Sequence, residues 1–284
     1  RMGRMTDTIL SAYAANWIET LQSPMMVNAF LAGILIALAS GAMGYFTISR
    51  QSTFAAHALA HIGLPGATLA ALIGWPVPLG MGLFAVGGGL AIGSLGKKAN
   101  QREIATGTVL AFATGLGLFF THYSSKATQQ MQSILFGSIL TITGSELVGF
   151  ALFDAVLLIV VSIIFRPLLF SSVDEQVARA KGVPIALLNI VFMALMAGVI
   201  TVAVPAVGTL LVFALVITPA AAASILTKSA FKAIAAATFI CLACIWLGLL
   251  VSTILDTPPS FIIVTFSTLT WLTAQAIAGI RSDS

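Results

Sequence analysis

Polar residues come in short groups along the chain, and between them run apolar stretches of about twenty residues, the length an α-helix needs to cross the hydrocarbon core of a bilayer. Nine such windows are read, at about 25–48, 53–74, 76–96, 104–122, 146–166, 184–203, 206–226, 232–252 and 259–279. A membrane β-barrel would instead show segments of roughly ten residues with alternating polarity. The pattern therefore predicts an all-α fold, a polytopic transmembrane bundle of about eight to nine spans.

The basic residues sort by connection. Arg50 follows the first span, Lys97, Lys98 and Arg102 the third, Arg166, Arg179 and Lys181 the fifth, Lys228 and Lys232 the seventh, and Arg281 the last. The intervening connections near 74–78, 202–207 and 256–259 carry no Lys or Arg, so the basic loops are read as cytoplasmic. Lys126 alone breaks the alternation. This divides the chain into an N-terminal segment (1–24), whose amphipathic part (6–21) is expected to lie in the membrane interface, a membrane domain (25–279) and a cytoplasmic tail (280–284). No cleavable signal peptide is expected at the start.

Two spans are expected to be broken. Gly63, Pro65 and Gly66 interrupt the second and Pro219 the seventh, because an interior proline removes a backbone hydrogen bond and crowds the preceding turn. Gly89 and Gly93 form a GxxxG pair suited to helix packing. The most polar segment, FSSVDEQVARAKGVP, reads as a short cytoplasmic helix over 172–182. Ser172 is its expected N-cap, Glu175 closes a capping box, Arg179 and Lys181 sit late, and Gly182 is the stop. Such a helix is either a solvated connector or a docking surface.

Composition agrees with the pattern: 59% of residues are apolar and 8% charged, against roughly 25% charged in soluble domains. The net charge of +4 reports topology here, and nothing suggests a nucleic-acid partner. Cys241 and Cys244 lie within an apolar span and are expected to be small buried residues, not a disulfide.

Candidate chemistry is sparse. In HALAH, His57 and His61 are four residues apart, which on a helix is about 40° of rotation and roughly 6 Å of rise, so they share a face. They could bind one ion together, or hydrogen-bond to neighbouring helices. Two imidazoles without a carboxylate lean toward zinc, and a symmetric pair of subunits or another residue would have to complete the ligand set. Asp154, deep in the fifth span, is a second metal candidate, with a helix-to-helix hydrogen bond as the alternative. GSLGKK at 93–98 lacks the spacing of a phosphate loop, and no HExxH or GxSxG pattern occurs, so neither an ATPase nor a hydrolase is expected within this chain.

Three stretches together resemble the permease subunits of bacterial ATP-binding-cassette metal importers, the manganese, zinc and iron permease family, over roughly 25–279. VPAVGTLLVFALVITPAAAA is similar to the family's VG-x-LL…P-A-A-x-A span, at Gly208 and Pro219 among others. HALAHIGLPGATLA resembles a family stretch that ends in the Pro65–Gly66 pair, and DEQVARAKG resembles the ATPase-docking helix, at Asp174, Ala178 and Gly182. Two departures stand out: His57 replaces an Asp and Ala60 a Ser, and the docking acid expected at 176 is Gln176, with Glu175 one place earlier. The resemblance implies a homodimer in the bacterial inner membrane. It also implies cytoplasmic ATP-binding subunits docking at Asp174, Glu175, Ala178, Arg179 and Gly182, an extracytoplasmic metal-binding protein, and no permanently bound cofactor. The expected cargo is a divalent metal, zinc foremost; the alternatives are manganese, iron or a metal chelate, or a gradient-driven transporter.

Overall fold

The computed structural model describes residues 19–95, 99–123 and 125–282. Of the stretch expected in the interface only 19–21 falls among them, where it is helical; Lys97, Lys98 and the last two residues of the tail lie outside the described residues. The chain forms α1 (Pro24–Ser49), α2 (Thr53–Ile73), α3 (Val77–Leu95), α4 (Ala99–Tyr123), α5 (Ser125–Phe136), a 3₁₀ turn (Ile139–Thr141) and α6 (Gly144–Val173). It continues with α7 (Glu175–Ala180), α8 (Ile185–Val207), α9 (Thr209–Val216), α10 (Thr218–Leu226), α11 (Ala230–Leu255) and α12 (Pro259–Ser282). No strand occurs among the described residues.

Local chemistry sets the helix ends. Ser23 caps α1, accepting from the Met26 N–H, with Pro24 at the first helical position where its missing donor costs nothing. Thr143 and Glu146 form a reciprocal capping box on α6. Gly74 ends α2 at φ 77°, the left-handed geometry that glycine adopts without strain.

Among the described residues eight helices are long and apolar enough to cross a membrane on their own: α1, α2, α3, α4, α6, α8, α11 and α12. The seventh expected span, 206–226, is the one missing from this set: it is split at Ile217 into α9 and α10. Together they still traverse the bundle. Gly208 lies against Gly137 at the end where the Asn28 amide reaches the Ile142 carbonyl, whereas Ala220 and Ala223 pack with Ile48 at the opposite, basic end.

Pro219 explains the split. It has no N–H to offer the Leu215 carbonyl, which instead accepts from the Cys241 thiol at 3.5 Å, while the neighbouring Ala214 carbonyl accepts from the Ser267 hydroxyl at 2.6 Å. A break at membrane depth is tolerated where surrounding helices satisfy the freed groups in this way. Cys241 and Cys244 are both free and buried.

The second span departs from expectation, for α2 is continuous through Pro65. Only one intrahelical bond is lost there, and the adjacent Gly66 does a different job. It brings the α2 backbone against Gly80 of α3, so close that a Cβ on either glycine would strike the other's carbonyl oxygen. The helices α2 and α3 thus form a tight hairpin, and α2 also packs on α4. The other half of the core is α1 packed on α6 and α11, with Phe46 and Phe165 edge to face at 5.6 Å.

Candidate functional site

The histidines ride on the first half of α2. From Phe54 to Thr68 every residue is buried except Phe54, His57 and His61, which fall on one stripe at i, i+3 and i+7. The two rings lie edge to face with centroids 5.0 Å apart, and His57 also meets the Phe213 ring of α9 at 5.7 Å and 88°. His57 Nδ1 is buried and has no hydrogen-bond partner. No neighbouring helix satisfies that nitrogen, while both imidazole rings keep part of their surface exposed, so the stripe of Phe54, His57 and His61 is the open side of an otherwise buried stretch.

Sequence reasoning missed Phe213. Its position in the apolar run VFALV gives no signal, because only the bend at Ile217 and the packing of α9 on α2 bring it to the histidines. Thr209, at the start of the same short helix, is also fully buried with a hydroxyl that finds no partner.

Asp154 is 2% exposed and neither carboxylate oxygen has a hydrogen-bond partner. It sits on α6, which packs mainly on α1 and beyond that on α7 and α8, while α2 packs mainly on α3 and α4. Among the described residues no three of His, Cys, Asp and Glu gather closely enough to hold a metal, so Asp154 does not join the histidines in one cluster. Neither does it make the expected helix-to-helix hydrogen bond.

The polar segment between α6 and α8 folds as α7, two residues shorter at its start than expected. Ser172 is still within α6, where its hydroxyl bonds back to the Leu169 carbonyl, and Asp174 is the cap instead, with Oδ1 accepting from the Val177 N–H at 2.9 Å. A carboxylate caps as well as a hydroxyl and also suits the helix dipole, so the long α6 simply runs on until Asp174. Glu175 pairs with Arg179 at 3.1 Å across one turn. Ala178 is fully buried and pins α7 to the bundle, and Gly182 turns the chain at φ 82°. Val173 and Val177 stay exposed beside these charges, at the polar end of the molecule, which leaves an apolar and charged surface facing outward.

Pro65, Gly66, Gly208 and Pro219 all have structural places. Gly208 has φ 83° and ψ 156° and lies against the backbone of Leu135 and Phe136. Pro219 opens α10.

Comparison with known proteins supports the fold and the family. The model of the ABC 3 transport family matches residues 22–278. An uncharacterized membrane protein of Cyanophora paradoxa is 30% identical over 257 residues, covering 90% of this chain and 86% of that protein. The manganese transport system membrane protein MntC of Halalkalibacterium halodurans is 31% identical over 214 residues, covering 74% and 72%. Among solved structures, PsaBC from Streptococcus pneumoniae in complex with Fab superposes with a TM-score of 0.81 at 27% identity, over 92% of this chain and 95% of that one. The chain belongs to the ABC 3 transport family and is its multi-pass, inner-membrane permease subunit, with ATP hydrolysis carried by a separate subunit.

Proposed function

We propose that two copies of this chain form the translocation path of an ATP-driven divalent metal importer, with His57 and His61 from each copy lining the path. The observation that carries this reading is the half-buried pair His57 and His61 within the otherwise buried run 55–68 of α2, with an unpartnered Nδ1 on His57. Two polar rings facing lipid would be costly, and a second copy offering the same face would give four imidazoles around one axis. Four nitrogens suffice for a divalent ion, and a path site needs ligands that release as well as hold.

Zinc is the cargo favoured by the ligand chemistry, since neutral imidazoles without a carboxylate suit it better than manganese. Manganese is the second reading, favoured by the names of relatives such as MntC of Halalkalibacterium halodurans and the manganese import system permease protein ScaB of Streptococcus parasanguinis. Uptake by vesicles holding the complete transporter, with labelled zinc and labelled manganese each challenged by the other metal, separates them. Zinc uptake that manganese in tenfold excess leaves intact supports the first reading; the reverse result supports the second. Uptake of neither metal, with uptake of a chelate, would discard both.

The ATPase subunits are proposed to dock on α7 through Asp174, Glu175, Ala178, Arg179 and Gly182, with Val173 and Val177 as the apolar part of the contact. An extracytoplasmic metal-binding protein would deliver the ion at the opposite end. Charge reversal at both Asp174 and Glu175 is expected to weaken co-purification of the ATPase at least about tenfold, the size of effect seen for charges at contact surfaces. Undiminished co-purification would leave α7 a connector.

A further inference from the structure

We propose that Arg50 is a positioning residue that links the motion of α7 to the histidine-bearing helix α2. The link rests on the reading of α7 as the ATPase dock and of His57 and His61 as the ion path.

The Arg50 guanidinium gathers both chain segments that flank α7. Nη1 donates to the Ser171 hydroxyl at 2.6 Å, near the end of α6, and Nη2 donates to the side-chain carbonyl of Asn189, near the start of α8. The same group lies over the Phe192 ring, 5.4 Å from its centroid. Ser171 is buried and Phe192 fully so. A planar fork can reach two acceptors on different helices and stack on a ring at once, which a lysine ammonium cannot reproduce.

On its other side Arg50 is tied to α2 with little slack. Its backbone N–H closes α1 on the Phe46 carbonyl, the Ser52 N–H bonds to Thr47, and the Ser52 carbonyl accepts the first helical bond of α2 from Ala56. Ser52 Oγ in turn bonds to the Arg50 carbonyl at 3.2 Å. Only Gln51 and Ser52 therefore separate Arg50 from the first turn of the helix that carries His57. Beside this junction is a cavity of about 560 Å³, lined by Arg50, Phe54, Glu103, Thr106, Ser172 and Glu175. Interiors are close-packed and resist small displacements, so free volume placed between α7 and the start of α2 lets both shift without repacking the core. A push on α7 would pull Ser171 and Asn189, and through Arg50 would tilt the start of α2.

The test uses the complete transporter in vesicles and reads metal taken up per ATP hydrolysed, alongside ATPase co-purification and basal hydrolysis. Arg50→Gln is expected to keep assembly and hydrolysis while lowering the uptake-to-hydrolysis ratio about tenfold, within the range of coupling energies between distant sites. Asn189→Ala should lower it in the same direction, and the double variant should be no worse than Arg50→Gln alone, because one link is being cut. A ratio unchanged in both single variants, or uptake that falls only in proportion to folded protein, overturns the proposal. Should Arg50→Gln fail to fold, Asn189→Ala decides alone, since it leaves the cation in place. An unchanged ratio beside charge-sensitive ATPase association overturns the Arg50 link by itself. Association that ignores charge at 174 and 175 overturns the docking reading instead.

Discussion

Replacing His57 and His61 together by alanine is expected to lower metal uptake more than about a hundredfold, at least the upper end of what is lost when only the supporting shell of a metal ligand is removed. The fold should survive, because both rings are half-buried and neighbouring α2 residues from Ala58 to Ala60 and from Ile62 to Thr68 carry the packing. Each single variant should lose uptake too, since two copies would each drop one of two imidazoles. The check is initial-rate uptake in vesicles, with X-ray absorption of zinc-equilibrated protein to count nitrogen ligands. Nitrogen-ligated zinc that disappears with the histidines places the pair on the path. Uptake within twofold of the unaltered protein would make the stripe a structural surface and leave Asp154 as the next residue to test.

The second large effect concerns folding. Gly208→Ala is expected to destabilise the chain by about 3 kcal/mol or more, summing the strain of a backbone region open essentially only to glycine and a steric clash in a packed site. Its φ of 83° and ψ of 156° lie in that region, and a Cβ there would sit 2.5 Å from the Leu135 carbonyl oxygen and from the Phe136 carbonyl carbon. Both neighbours are backbone and cannot swing aside. Gly137, the next residue of that same segment and itself at φ 61°, also lies against the Gly208 backbone. The measurement is yield of monodisperse protein in detergent and its thermal unfolding midpoint, compared with Gly107→Ala, where a new Cβ meets nothing within 4 Å. A Gly208→Ala protein as stable as that control would refute the close-approach account.

Most of the fold was legible because a bilayer imposes length and apolarity on each crossing, and those two quantities are written directly in the residue pattern. The split at Ile217 followed from Pro219. Pro65 sent the same signal and misled, because the sequence does not say whether a neighbouring helix will hold a proline-containing helix straight; Gly80, fourteen residues after Gly66, decides that by its close approach to Gly66. Asp174 displaced Ser172 as the cap of α7 since α6 outran its expected end, a boundary set by packing against the bundle. Of the candidate site, the shared face of His57 and His61 was readable from their spacing. Phe213 was not, since it arrives from a distant segment across a bend. Arg50 was visible only as a marker of topology, and its bonds to Ser171 and Asn189 span more than a hundred residues, beyond any local pattern.

The bend at Ile217 has an evolutionary corollary. Its geometry is encoded in three places at once: a proline that withholds a donor at 219, a thiol at 241 and a hydroxyl at 267 that make good the deficit. A relative that straightens this segment by losing the proline has no further use for the two donors. One that keeps the proline while losing both would bury bare carbonyls. Substitutions at 219, 241 and 267 should therefore travel as a set through descendants of this chain, and a graft of 206–226 into another permease should succeed only when positions equivalent to 241 and 267 go with it.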